Sequence, residues 1–272
     1  VYMSGLGLSE LYVNGHRVGD HVLSPALSEY DKRVYYVTHD VTAMLRRGAN
    51  AIGVLLGNGR FYAPRGSSFV GMRSYGYPKL LLQLHVEYED GGAETMGTDE
   101  RWKLSADGPI RANNEFDGEE YDARMETPAW AEPDFDDSAW RPVRIVDPPG
   151  GVLAAQMIEP IRVVETVSPR AFHSPKPGVY VVDMGQNIVG WSRIRVNGPR
   201  GTRIRLRHAE TLREDGNLYV ANLRSAKAAG VYILKGKGEE VYEPRFTYYG
   251  FRYVEVRGYP GTFDLSAIEG KV

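Results

Sequence analysis

The feature that most restricts this chain is the length and spacing of its apolar runs. They are short, they alternate, and Gly, Pro, Asn or Asp bounds almost every one. Alternation at period two puts apolar side chains on one face of a strand, and the punctuation sets turns between strands. Long 3.6-residue periodicity is missing. A chain of 272 residues written this way has room for one large or two ordinary β domains.

"LYVNGHRV" gives the sharpest local reading. Asn14-Gly15 suits the positive φ values of a type I′ turn, so Leu11–Val13 and His16–Val18 should pair as a hairpin. "HDVTAMLRRGANAIGVLLG" reads as a short helix, capped by Asp40 and ended by Gly48, running into an interior strand, "AIGVLL". In "YPKLLLQLHVEYEDGG", Leu80, Leu82, Leu84 and Val86 share one face, and Asp90-Gly91-Gly92 makes the turn. "TMGTDERWKLS" reads as two short strands. Proline becomes frequent from "ETPAWAEPDF" to "DPPGG", and periodicity is lost there. The junction is placed accordingly, with domains at 1–147 and 148–272. Regularly spaced strands follow, from "IRVVETV" to "FRYVEVRG". The fold expected is all-β: two antiparallel, jelly-roll-like β-sandwiches.

Bulk properties narrow the partners. The formal charge is -2, and the absence of cysteine removes disulfides and thiolate chemistry. Nothing calls for nucleic acid. No apolar run approaches the roughly 18 residues of a membrane-spanning helix. Arg193, Arg195, Arg203, Arg205 and Arg207 sit at alternate positions, and read as a solvated strand face paired with acids. Both ends of the chain fall inside strand-like pattern, and the chain reads as part of a longer protein. The compartment is left open.

The chemistry-bearing residues are sparse. The six histidines are scattered without metal-ligand spacing. "DMGQNIVGW", Asp183 to Trp191, is glycine-rich, but the alternating "SRIRV" follows it where a phosphate loop would open a helix. It reads as a bend in a sandwich, with Asp183 and Asn187 tying backbone N–H groups and Trp191 entering the core. Acidic clusters occur in "EFDGEEYDARME" and "EPDFDDSAW". Glycoside hydrolysis needs two carboxyls roughly 5 to 9.5 Å apart, and acids beside Gly and Pro more often solvate loops. No catalytic residue and no protein-held metal site is assigned. "FTYYGFRYVEV" reads as core. "NGRFYAPRG", with Arg60, Pro64 and Arg65, reads as an exposed loop whose aromatic rings could stack on a sugar.

Three longer stretches carry a resemblance: "LYVNGHRVGDHVLSPALSEYDKRVYYVTHDVTAMLRRGANAIGVLLGNGRFY", "GTRIRLRHAETLREDGNLYVANLRSAKAAGVYILKG" and "YEPRFTYYGFRYVEV". With "YVVDMGQNIVGWSRIRV", and the shorter "FDDSAW", they resemble the bacterial α-L-rhamnosidases. The resemblance covers nearly the whole chain. It implies an N-terminal β-domain followed by a second β-domain, from enzymes that remove terminal α-linked L-rhamnose with inversion. It also implies a large helical barrel, absent from this chain, that carries the general acid and base. The partners implied are that helical domain and a rhamnose-containing glycan. Some relatives bind rhamnose through calcium. The nearest acidic candidate here is Asp122 in "EEYDAR", with Asn113 and Asn114 upstream, while its neighbour Ala123 has no side-chain donor. The carbohydrate-binding residues expected are Asn58, Arg60, Asp122 and Arg124. The rival expectation is a stand-alone carbohydrate-binding module, a rhamnose lectin using calcium.

Overall fold

A computed structural model describes residues 1–62 and 73–272. Strands dominate. The helical pieces among the described residues are 3-10 turns of three residues, such as Thr42–Met44 and Ala221–Leu223. The protein is all-β.

Two compact units are present. One comprises Val1–Ala106 and Thr127–Arg162, the other Asp107–Glu126 and Val163–Val272. This division differs from the single junction expected between 147 and 148. The cause is strand pairing: Gly118–Asp122 lies parallel to the strand Ala229–Ile233, matching Glu120 with Val231. Ile110–Asn114 then pairs antiparallel with Gly118–Asp122. Hydrogen bonds of the sheet therefore carry residues 107–126 out of the first unit.

The first unit has a five-stranded sheet in the order Val152–Ala155, Arg33–Thr38, Tyr2–Leu6, Lys79–Glu87, Ala93–Gly97. A three-stranded sheet, His16–Arg17, Leu8–Val13, Ile52–Gly57, supplies further strands. Met3, Leu82 and Leu84 of the larger sheet form one buried cluster with Leu11 and Val13 of the smaller. Each such side chain contributes about 1.5–3 kcal/mol when removed from water. The Asn-Gly hairpin forms as expected, with Val13 opposite His16, Asn14 at φ 50° and Gly15 at φ 80°. The face of Leu80, Leu82, Leu84 and Val86 also packs on the core.

Two local expectations need correction. The segment from Asp40 to Gly48 holds a single 3-10 turn rather than a helix. Asp40 does accept from the Thr42 N–H at 2.9 Å. Asn50, however, takes the Arg46 N–H on Oδ1 and donates to the Arg46 and Gly48 carbonyls, groups a helix would have used. "AIGVLL" becomes the strand Ile52–Gly57, which lies at the edge of the three-stranded sheet instead of its interior. Nor is the pairing purely antiparallel: Val152–Ala155 runs parallel to Arg33–Thr38, and Gly118–Asp122 to Ala229–Ile233.

The second unit is built round one strand of nineteen residues, Val179–Asn197. Its first part pairs with Ala171–Lys176 and Tyr249–Arg257. Its last part pairs with Ile268–Lys271 and Glu239–Tyr242. The strand thus changes neighbours along its length, and a bulge between Asp183 and Ile188 interrupts its pairing with Tyr249–Arg257. Arg203–Ala209 extends the sheet beside Tyr249–Arg257. Val182, Ile194, Ile204, Phe251, Val254 and Val256 are fully buried. The alternating arginines are partly paired with acids, Arg193 with Glu269 at 3.2 Å and Arg203 with Glu120 at 3.1 Å.

Candidate functional site

The bulge comes from the string "DMGQNIVGW". Pairing with Tyr249–Arg257 is regular up to Asp183, opposite Tyr253, and resumes at Ile188, opposite Phe251. Gly185 turns the chain at φ 83°, a left-handed conformation that glycine adopts without strain. Asp183 Oδ1 accepts the Gly185 N–H at 2.7 Å, and the carboxylate receives both Nε and Nη2 of Arg252 at 2.8 and 2.9 Å. The Arg252 guanidinium holds this carboxyl below the usual range. Met184 and Ile188 are buried on either side, and Trp191 is buried beyond them. Gln186 and Asn187 are left in solvent.

Asn187 does not tie backbone, as the sequence suggested. Its Nδ2 donates to Glu210 Oε1 at 3.2 Å, and Asn222 Nδ2 donates to Glu210 Oε2 at 3.4 Å. Three segments distant in the chain thus converge on one exposed carboxylate. Neither Glu210 nor Asn222 carries a local sequence signal: only the register of Arg203–Ala209 against Tyr249–Arg257 brings Glu210 to the bulge. Two residues after Asn222, Arg224 adopts φ 55° and ψ −114°. That conformation costs a residue with a Cβ about 1–3 kcal/mol.

The expected sugar-binding residues fall in two places. Asn58 and Arg60, both partly buried, lie in the first unit on the turn that follows Ile52–Gly57. Phe61 anchors this turn, fully buried against Tyr30 and Tyr75 at 5.0 and 5.6 Å between ring centroids. Half-buried Tyr62 meets Tyr77, which is 74% exposed, at 4.9 Å. Pro64 and Arg65 lie outside the described residues. Asp122 and Arg124 lie in the second unit and bind each other. Arg124 Nε donates to Oδ1 at 2.8 Å, Nη2 to Oδ2 at 2.7 Å, and the Arg124 backbone N–H to Oδ1 at 3.0 Å. The Arg124 guanidinium lowers the Asp122 pKa.

The oxygen donors considered for calcium already have partners. Asp122 is engaged by Arg124. Asn114 Oδ1 accepts the Phe116 and Asp117 N–H groups at 2.9 and 3.1 Å, shaping the turn into Gly118–Asp122. No group of three His, Asp or Glu with metal-binding geometry occurs among the described residues.

Other buried polar groups in the second unit wire the fold. Glu119 accepts from the N–H groups of Arg245 and Phe246 at 3.1 and 3.3 Å. Glu240 accepts from the Lys235 and Gly236 N–H groups and from the Tyr232 hydroxyl. Burial alone would raise its pKa, but these donors hold the anion, and the pKa ends lowered. Ser192 and His208 look at first like a nucleophile and its base, with Oγ to Nε2 at 2.8 Å. His208 Nδ1 lies 3.1 Å from the Ala228 carbonyl, so Nδ1 carries the proton and Nε2 accepts from the serine. Both residues are 1% exposed, and burial pushes the imidazole pKa down to about 3. A substrate cannot reach them. In the first unit, a cavity of about 10 Å³ beside Glu10, Arg17, His21 and His39 holds room for one water, far short of a sugar.

Two family models cover the chain, with a boundary between residues 165 and 173 that leaves 107–126 in the first. Residues 1–165 match the family model described as the alpha-L-rhamnosidase N-terminal domain. Residues 173–272 match the bacterial alpha-L-rhamnosidase concanavalin-like domain. An alpha-L-rhamnosidase of Streptomyces avermitilis is 48% identical, over 100% of this chain and 26% of its own length. One from Formosa agariphila is 39% identical, over 99% of this chain and 29% of its own. The chain therefore spans little more than a quarter of these relatives. Among solved structures, the alpha-L-rhamnosidase from Dictyoglumus thermophilum superposes with a TM-score of 0.94 at 50% identity, covering 100% of this chain and 30% of that one. The Streptomyces avermitilis enzyme, crystallised in complex with L-rhamnose, gives 0.94 at 46% identity, covering 100% and 26%.

Proposed function

This chain belongs to the α-L-rhamnosidase family, and from that membership we propose that it is the non-catalytic, two-sandwich part of a glycoside hydrolase acting on terminal α-L-rhamnosides with inversion. Its partners in this reading are a rhamnose-containing glycan and a helical catalytic domain of the same polypeptide. Asn58 and Arg60, beside exposed Tyr77 and half-buried Tyr62, are the first unit's contact with carbohydrate, since aromatic faces suit the C–H face of a pyranose.

The observation that carries the non-catalytic reading is the way carboxylates are used. A glycosidase general acid needs a raised pKa and an open face toward its partner acid. Asp122, Asp183 and Glu240 all move the other way, below the ordinary range. Glu119 spends its lone pairs on backbone N–H groups and Glu255 pairs with Arg257 at 2.7 Å. These acids brace strands and turns.

The test is hydrolysis of an aryl α-L-rhamnoside by this chain alone, with calorimetry against L-rhamnose, with and without calcium. The expected result is no turnover above background. Turnover on the order of 1 per second would overturn the reading. Saturable heat that vanishes with a chelator would favour a calcium-dependent lectin in its place.

A further inference from the structure

We propose that Arg205, Arg207 and Arg257 of the second unit form a binding site for an oxyanion, a carboxylate or a sulfate, supplied as a free ion or as the acidic group of a saccharide. This site is independent of the proposed function, since it rests on the charges of one sheet face alone.

Strand register sets the cluster. Arg205 lies opposite Arg257, and Arg207 opposite Glu255, on the paired strands Arg203–Ala209 and Tyr249–Arg257. Residues directly opposite in an antiparallel pair share a face, as do positions two apart along a strand. Three guanidinium groups therefore crowd round one carboxylate. The next strands on either side bring no acid to this level. Val231 and Ala229 flank Arg205 and Arg207, and Val179 and Val181 flank Arg257 and Glu255. All four flanking residues are buried. Glu120, one strand further out and opposite Val231, pairs instead with Arg203 at 3.1 Å.

The single carboxylate is already engaged. Arg257 Nε and Nη2 donate to its two oxygens at 2.7 and 2.8 Å, and the Glu255 side chain is only 5% exposed. Among the described residues, Arg205 and Arg207 form no ion pair, and Arg207 Nε is buried without a hydrogen-bond partner. Both arginines are half-buried, so water solvates them incompletely. Burial and the charge of Arg205 hold the Arg207 pKa below the usual guanidinium range, and Glu255 only partly opposes them. Other arginines of this unit have an acid each, Arg193 with Glu269 and Arg252 with Asp183.

Like charges directly opposite each other disfavour a strand pair. A buried donor without a partner costs more than an ordinary hydrogen bond contributes. An oxyanion relieves both, because it accepts the Arg207 N–H and offsets the charge of Arg205 and Arg207 together. Guanidinium forks hold such oxygens through paired, charge-assisted bonds. The apolar flanks lower the local dielectric and strengthen the attraction.

Calorimetry on this chain tests the site, with sodium sulfate and sodium D-glucuronate as probes and the ionic strength held constant with sodium chloride. Sulfate, glucuronate or both should bind saturably, with a dissociation constant of about a millimolar or below. Arg205→Gln and Arg207→Gln should each weaken that binding by about tenfold or more. Saturation by sulfate alone identifies a free tetrahedral ion, and saturation by glucuronate the acid group of a sugar. Without any probe and at low salt, Arg205→Gln should melt above the natural chain, because it removes a like-charged neighbour; this readout holds even if Arg207→Gln does not fold. No saturation with either probe overturns the proposal, as does binding that Arg205→Gln retains in full. A lower melting temperature for Arg205→Gln also overturns it, because Arg205 would then have its counter-charge within the chain.

Discussion

Acid should unfold the second unit through His208. The ring is fully buried, stacked on Tyr249 at 4.0 Å and edge-on to Phe251 at 4.7 Å, with both nitrogens bonded. Burial moves its pKa from 6.5 to about 3 in the folded state. The unfolded chain therefore takes up a proton that the folded chain refuses. The stability linked to this ring is complete above the unfolded pKa of about 6.5, and is lost progressively as pH falls toward about 3. At about 1.4 kcal/mol per pH unit, acid should remove a few kcal/mol across this window, with the steepest loss between about pH 6 and 3. The assay is a urea titration at several pH values, followed by hydrogen exchange on peptides of the second unit, for the natural protein and for His208→Gln. Glutamine does not titrate, so its stability should fall less steeply with acid, by about one proton per molecule. His39, which burial lowers to about 4, lies in the other unit and is common to both proteins, so it cancels in the comparison. Parallel curves for the two proteins would refute the reasoning.

Four further outcomes are expected. Gly118→Ala should cost the second unit about 2–4 kcal/mol in thermal or urea unfolding, because Gly118 has φ 100° and a Cβ would sit 2.0 Å from the Ala229 carbonyl oxygen. Asn14→Ala should cost about 1–3 kcal/mol, since its side chain bonds the Met44 carbonyl, Asn50 Oδ1 and the Ala51 N–H; an unchanged urea midpoint would contradict this. Arg224→Gly should raise the melting temperature of the isolated chain, by the equivalent of about 1 kcal/mol, and a fall would remove the case for strain at that position. Asp183→Asn keeps an acceptor for the Gly185 N–H but loses the charge facing Arg252. The stability tied to that charge is present above the unfolded carboxyl pKa and lost as pH falls through the lowered folded one, so the variant should show a flatter acid limb below about pH 4.

The residues most open to reading were those whose job is local. Asn14-Gly15 named its own hairpin, because positive φ at two successive positions is a property of the dipeptide. The face of Leu80 to Val86 named its own core. Asp183 could be read as tying a turn, since its acceptor reaches only two residues ahead. The Asp40–Gly48 helix failed because Asn50, beyond the segment, took the backbone groups that the helix needed. Asp122 and Arg124, expected to bind sugar, were readable as an acid and a base, but not as each other's partners.

Alternation and punctuation alone were enough to determine an all-β protein, because a strand's two faces and a turn's φ values are decided within a few residues. The path of those strands was settled only by tertiary structure. Residues 107–126 join the second unit through hydrogen bonds to Ala229–Ile233, more than a hundred positions away. Glu210 meets Asn187 and Asn222 only because two strands align in one register. Backbone pairing is blind to sequence distance, so what it brings together leaves no local trace.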